Sequence, residues 1–331
     1  MFKCCFTLPL HQKYKMDNIT TSNDAIFDFA PYIIVLCIIL TVFIAVFDLL
    51  WKKKKDKQTS ETSCQNDHYT IDNKDIHSYL KKVCLFLSRY ASKLIQYGAT
   101  TIRIEKNIGR IAERFDTVVE MGVLPQHIMV TLWDKEHLHS YSNNEIIKSQ
   151  GVDFDKNTLL SKLSWEIHDN RMELDEAIKR FDDITARPRL NDWTVLILTG
   201  LANGSFCRLF GGDFISMVIV FVATICGFYL KNSLHGKHGW DIRLVTIISG
   251  CIATIIASSC YVFGWGKTPD IALGTGVLYL VPGVLFINSI NDLINGHHIC
   301  FISRFINATI ITICLSLGLC LGLIILNIKF L

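Results

Sequence analysis

Charge is scarce in this sequence. Only 19% of its 331 residues are Asp, Glu, Lys or Arg, whereas 50% are hydrophobic. That balance excludes an ordinary soluble protein and fits a membrane protein carrying one soluble segment. The net charge of +3 leaves no large basic surface, so no nucleic-acid partner is expected. No Walker loop (G-x-x-x-x-G-K-[ST]) and no G-x-S-x-G nucleophile motif occurs, so ATPase and hydrolase readings have no support and the chain is not read as an enzyme. None of the twelve cysteines forms a C-x-x-C pair. Most lie in apolar segments, where Cys behaves as a small hydrophobe. Neither a disulfide framework nor a zinc site follows, and no metal or cofactor is expected. There is no short-period internal repeat.

Long hydrophobic runs are what the chain has instead. The first, 31–51, is about 20 residues long, enough to cross a bilayer. It is too long for a signal peptide, and no small-residue cleavage site follows it. The basic run 52–57 comes next. By the positive-inside rule it marks the cytoplasmic end, which places a polar tail, 1–30, outside the membrane. Met16 is an alternative start within that tail. Residues 52–73 read as a basic linker.

Residues 74–190 contain no spanning segment and read as a cytoplasmic α+β domain. From 76 to 97, Leu80, Val83, Cys84, Leu87, Ala91, Leu94 and Ile95 share one helical face. Gly98 suits the position just past that helix. Thr100 or Thr101 is expected to cap a second helix running to Arg114, with Ile104, Ile108 and Ile111 inward. Strand-like pieces follow at 117–121, 127–133, 138–142 and 145–148. His137 and His139 would then share a strand face, with a solvated surface the simplest reading for them and for His127. Helices at 157–170 and 173–184 close the domain, and Pro188 stops the last.

Residues 193–328 return to the membrane. Five spans are expected: 193–210, 214–230, 244–264, 270–290 and 305–328. Gly211-Gly212-Asp213 makes a tight turn between the first two. Lys231, Lys237 and Arg243 follow the second span, and only Lys267 follows the third. That asymmetry puts the 231–243 loop inside and the C-terminus outside. Gly318 and Gly322 form a G-x-x-x-G helix-packing face. The expected architecture is an α-helical integral membrane protein, with one N-terminal span, a five-span bundle and a cytoplasmic α+β domain.

The fourth span does not stay a simple helix. Pro282 lacks a backbone N–H and kinks or breaks it. Gly283 lets a backbone or a ligand come close. Beyond the break, Asn288, Asn291, Asp292 and Asn295 recur on helical 3/4 spacing. An ionised Asp at mid-membrane costs roughly 2.5–3.5 kcal/mol, so lipid-facing helices avoid it. This polar face is therefore a candidate translocation path, made of Pro282, Gly283, Asn288, Asn291 and Asp292. The alternative is that Asp292 lies at the cytoplasmic interface and the Asn residues bind helices together. A second polar group comprises Asn203, Ser205, Arg208 and Asp213. Asp213 suits a helix cap and Arg208 a snorkelling position, which leaves Asn203 as a further path candidate. His297 and His298 follow the broken helix with no further metal ligands at zinc spacing. They are expected at the cytoplasmic interface, with a proton-relay role open to them.

Four stretches together resemble the threonine/serine exporter family. They are Gly98-Ala99-Thr-Thr-Ile-Arg103-Ile-Glu105, Pro188 ahead of Trp193, the run from Gly200 to Asp213 (GLANGSFCRLFGGD), and the run from Leu280 to Asp292 (LVPGVLFINSIND) continuing to Arg304. The likeness covers about residues 76 to 328. The N-terminal span, and Pro188-Arg189-Leu190 in place of Pro-Arg-Tyr-Pro, depart from the family's usual pattern. The resemblance implies a secondary exporter subunit in a bacterial cytoplasmic (inner) membrane, of the split form that needs a second small membrane subunit. It implies a small-molecule substrate, threonine or serine in fused members and a dicarboxylate such as succinate in split ones. Asp292 and Arg304 are the candidates for ion or proton coupling. Whether the chain also forms a homo-oligomer is open. The rival reading is a non-transporting membrane sensor or scaffold that acts through its cytoplasmic domain.

Overall fold

The computed structural model describes residues 75–124, 126–147 and 151–328, with the isolated positions Tyr32, Ile34, Val35 and Ile39. The expectations for 1–30, for most of 31–51 and for 52–73 lie outside the described residues. Ile34 is buried against Ile255 and Leu326.

The first helix, α1 (Asp75–Gln96), buries the face its periodicity marks, with Leu80, Val83, Cys84, Leu87, Ala91 and Leu94 inward. It ends in a Schellman motif. Ala99 N–H donates to Leu94 O and Gly98 N–H to Ile95 O, each at 3.0 Å, with Gly98 at φ +87°. A Cβ at Gly98 would sit 3.0 Å from Val152. Gly98→Ala should therefore cost about 1–2 kcal/mol in thermal unfolding, the left-handed penalty for an L side chain. An unchanged melting temperature would count against this geometry.

Helix α2 (Thr101–Arg114) follows, then a three-stranded antiparallel meander of β1 (Thr117–Val123), β2 (His127–Asp134) and β3 (Ser140–Ile146), in the order β1-β2-β3. The register pairs Glu120 with Thr131 and Val130 with Asn143. Alternation puts Ile128, Val130 and Leu132 on the inner face, against α1. Two strand pieces expected at 138–142 and 145–148 are one strand. Asn143 and Asn144 carry on the alternation instead of turning. His137 is not on a strand. It has φ +54° in the β2–β3 turn, where Leu138 N–H and His139 Nδ1 both bond Asp134. Helices α3 (Phe154–Asp169) and α4 (Leu174–Ala186) complete this layer. The first of them starts three residues earlier than its apolar pattern indicates, because the Asp153 carboxylate accepts Lys156 N–H and caps it. Tyr90, Phe86 and Phe181 form the aromatic centre, and buried Tyr90 donates its hydroxyl to Leu160 O at 2.7 Å.

The bundle begins with α5 (Asp192–Leu209) and α6 (Phe214–Lys231), which runs on as a π turn (Asn232–Lys237). Lys231 and Lys237 thus lie on helix, not in a loop. Then come α7 (Ile242–Ala257), the short α8 (Ser259–Val262) and α9 (Pro269–Gly276). A 3₁₀ turn (Leu278–Leu280), α10 (Gly283–Ile294) and α11 (His298–Ile325) close the chain. Among the described residues, three helices are long and apolar enough to cross a membrane: Phe214–Gly236, Ile242–Val262 and His298–Ile325. A fourth candidate is the pair Pro269–Leu280 and Gly283–Ile294, bent by 65°. The span expected at 270–290, with its break at Pro282, is two helices meeting at that proline, and the second runs on to Ile294. Helix α5, expected as a span, carries Asp192, Asn203 and Arg208 and is not among these candidates. The last helix starts at His298, well before the expected 305, so His297 is its N-cap and Arg304 lies in its second turn.

Candidate functional site

The polar side of the broken helix meets the start of α2. Thr100 takes the N-cap position of α2, but its side chain makes no capping bond, and no acid stands in the first turn. A helix start leaves N–H groups unpaired and favours a negative charge. Asp292 supplies both from 191 residues away: its Oδ1 accepts Thr101 N–H at 3.3 Å. Its Oδ2 pairs with Arg304 Nη1 at 2.8 Å. Asp292 has no exposed surface, and the Arg304 side chain is 16% exposed. Arg304 Nη2 donates on to Ala99 O at 3.3 Å. Asn288 Nδ2 donates to Gly98 O at 2.9 Å. The Schellman turn at Gly98 presents both carbonyls, so local backbone geometry positions half of the junction.

The other end of α10 repeats the device. Gly296, at φ +83°, closes a Schellman motif in which His297 N–H donates to Asp292 O at 2.9 Å. This turn swings the chain back so that α11 returns Arg304 to Asp292.

The structure separates the expected row of amides. Asn288 and Asp292 face the α1–α2 turn. Asn291 instead accepts from Asn295 Nδ2 through its own Oδ1 at 3.0 Å and its carbonyl at 2.7 Å. Pro282 is the N-cap of α10. A Cβ at Gly283 would meet nothing within 4 Å, so none of the described residues approaches the break there. Asn203 is buried in the bundle and donates to Thr224 Oγ1 at 2.6 Å and to Thr275 O at 2.9 Å. It ties α5 to α6 and α9, and its described bonds do not reach the Asn288–Asp292 group.

Asp213 caps α6. It accepts from Ser216 N–H, Lys267 N–H and Thr268 Oγ1 at 3.0–3.1 Å. Hydrogen bonding, from the Ser216 side chain foremost and then from the Lys267 and Ser216 N–H groups and the Thr268 hydroxyl, holds its carboxyl pKa at about 2, below the ordinary carboxylate range. Gly266, at φ +82°, lets its backbone pass the carboxylate, since a Cβ there would lie 2.9 Å from Oδ2. Arg208 Nη1 donates to Gly212 O and closes its own turn.

Sequence spacing did not point to Glu105 or Cys300 as site residues. Glu105 lies 3.4 Å from His297 Nε2, and Cys300 Sγ lies 3.5 Å from Val123 O. The usable signal was negative: the first turn of α2 carries no acid, and the expected Thr100 cap makes no side-chain bond, so the helix start takes a distant partner. No group of three or more His, Cys, Asp or Glu is placed to hold a metal among the described residues.

Comparison with known proteins follows the same stretch of chain. The family described as "Putative threonine/serine exporter" (ThrE) matches residues 85–326. A Klebsiella aerogenes protein named "Probable succinate transporter subunit YjjP" is 25% identical over 251 residues, 73% of this chain and 92% of that protein. The Mycobacterium tuberculosis "Probable threonine/serine exporter" is 22% identical over 254 residues, 75% of this chain and 47% of that protein. The Corynebacterium glutamicum "Threonine/serine exporter" is 24% identical over 183 residues, 54% of this chain and 37% of that protein. No solved structure matches the chain.

Proposed function

The chain belongs to the threonine/serine exporter family, and from that membership we propose that it is one subunit of a secondary exporter, moving a small amino acid or a dicarboxylate outward across a bacterial cytoplasmic membrane. The observation that carries this reading is Asp292. It is a carboxylate with no exposed surface, at the end of a bent apolar helix pair, held by Arg304 and by the start of α2. Buried ionisable groups in such segments mark transport or coupling sites by default. In this reading Asp292 and Arg304 form the coupling pair. A proton or cation taken up at Asp292 competes with Arg304, loosens the α2 cap and frees the broken helix to move.

The proposed path runs along Pro282, Gly283, Asn288, Asn291 and Asp292, with Asn203 deeper in the bundle. Open space beside Gly283 and the N-terminus of a half-helix at the break support it, because such a terminus attracts a substrate carboxylate. The proposed topology has five spans in the bundle, α5 counted as one and the bent pair as another. The N-terminus lies outside, residues 74–190 in the cytoplasm and the C-terminus outside. The basic run 52–57, and the excess of Lys231, Lys237 and Arg243 over Lys267, support it.

A second small membrane subunit completes the exporter. The match extends over 92% and 89% of two proteins named as transporter subunits, against 47% and 37% of the two exporters. A broken-helix site near the midplane needs a second repeat to close around it. The test is reconstitution. Lipid vesicles containing this chain, with and without a candidate second small membrane subunit, are loaded with labelled threonine, serine or succinate. Efflux is expected only with both subunits and an imposed gradient. Efflux from this chain alone above the empty-vesicle leak would remove the two-subunit reading, and no efflux under any condition would remove the exporter reading.

A further inference from the structure

The first apolar run is anchored to the bundle at Ile34. This side chain is 2% exposed and packs against Ile255 of α7 and Leu326 at the end of α11, with Cys251, Val262 and Ile328 beside them. Tyr32, Ile34, Val35 and Ile39 are all helical. Val35 is 50% exposed and Ile39 57%, so one side of this helix meets the bundle and the other faces away. On helical spacing, Cys37, Ile38, Thr41, Ala45 and Asp48 share the side of Ile34. Phe43 and Val46 share the side of Ile39. The side of Ile34 is thus small or polar along most of its length, the composition that lets helix backbones approach closely in a bilayer. The opposite side is bulky and apolar, as a lipid-facing surface is.

We infer that the run 31–51 docks along the α7–α11 face as a further helix of the bundle, antiparallel to both. Its starting point and its length carry this. Ile34 sits at the C-terminal ends of α7 and α11, and the 17 residues from 35 to 51 still follow. As a helix they extend about 25 Å, and the 16 residues of α7 extend about 24 Å. The path back along α7 offers them apolar surface: Cys251, Ile248 and Leu244 recur from Ile255 at helical spacing, and Leu244 is 56% exposed. An antiparallel helix that sets Ile34 level with Ile255 brings Cys37 and Ile38 level with Cys251, Thr41 with Ile248 and Ala45 with Leu244. Asp48, the one charged residue in the run, comes level with the first turn of α7. There the Arg243 side chain is exposed and makes no ion pair among the described residues, so the carboxylate has a cation to meet. The run then ends on the side of the 231–243 segment, where the basic cluster 52–57 belongs by the positive-inside rule.

This inference goes beyond the exporter reading and does not depend on it, since it concerns chain ahead of the family match, which begins at residue 85. Two native cysteines test it. The full wild-type chain in lipid nanodiscs is treated with a short, membrane-permeable bismaleimide, and linked peptides are identified by mass spectrometry. A Cys37–Cys251 link is expected. Combining Cys37→Ser with Ile39→Cys moves the thiol to the outward side and should lower the yield of linkage to Cys251 at least tenfold. Mixing isotopically heavy and light chains before reconstitution separates a link within one chain from a link between copies. Ala45→Trp overfills the inward side, and it should lower the melting temperature and cut the Cys37–Cys251 link at least fivefold. Phe43→Trp, on the outward side, should do neither. Absence of the link in the wild-type chain, an equal yield from the Ile39→Cys variant, a link formed only between heavy and light chains, or an Ala45→Trp protein indistinguishable from Phe43→Trp would each overturn the inference.

Discussion

Asp292→Asn should insert into the membrane, lose stability and lose gradient-driven export. The side chain has no exposed surface, and its partner Arg304 is 16% exposed. Removing one member of such a pair leaves the other charge buried and uncompensated, which costs about 3–5 kcal/mol. The amide can still accept Thr101 N–H, so part of the α2 cap survives and the loss should lie toward the lower end. Asp292→Asn combined with Arg304→Gln removes both charges. It should recover most of the stability, because buried pairs contribute little beyond cancelling their own desolvation. It should not recover export. Thermal unfolding in nanodiscs and efflux at matched protein levels separate these outcomes. Wild-type export from Asp292→Asn across a range of pH would remove the coupling role. Equal stability of the single and double variants would remove the ion pair as a structural element.

Gly318→Leu should disrupt the bundle, and this is the second large effect. Helices α7 and α11 approach through small residues. A Cβ at Gly318 would lie 2.5 Å from Ile247 O and 3.2 Å from Cys251 N, both backbone atoms that cannot rotate away. One turn on, a Cβ at Gly322 would lie 2.8 Å from Thr254 Cβ. Close backbone approach of this kind is how apolar helices gain dispersion contact without a hydrophobic drive between them. Overpacking costs about 1–3 kcal/mol where neighbours can shift. Here the clash is with backbone, so the helices must separate and the effect should reach or exceed that range. Gly274→Ala is the control. A Cβ there meets nothing within 4 Å, and the helix propensity gain is up to about 1 kcal/mol. Folded yields and melting temperatures should fall for Gly318→Leu and hold for Gly274→Ala. A Gly318→Leu protein as stable as wild type would refute the close α7–α11 contact.

Local chemistry was legible wherever its cause lies within one helical turn. The apolar face of α1 follows from side chains recurring every three to four residues. Its end at Gly98 follows from the φ that only glycine reaches without strain. The break at Pro282 follows from a missing N–H, and the close face at Gly318 and Gly322 from small residues one turn apart. Each rule compares residues a few positions apart, so the sequence by itself determined these features, along with the apolar runs and the family likeness. What it misjudged was also local but finely balanced. Asn143-Asn144 suits a turn as well as a strand, and only pairing with β2 keeps it extended.

The junction is different in kind. Asp292, Thr101, Ala99, Gly98 and Asn288 are separated by about two hundred positions, and no spacing rule spans that distance. The row of amides looked like one functional face because helical periodicity places them on it. Tertiary packing split it, because only Asn288 and Asp292 lie where the α1–α2 turn offers carbonyls and an uncapped helix start. The sequence offered Thr100 or Thr101 as the cap of α2, a bond that the Thr100 side chain does not make; it determined only that the first turn of α2 has no acid and that α10 carries a carboxylate. Only the tertiary structure decided that one answers the other, because an unpaired N–H and a buried charge each leave their partner unspecified until the chain brings it within about 3 Å.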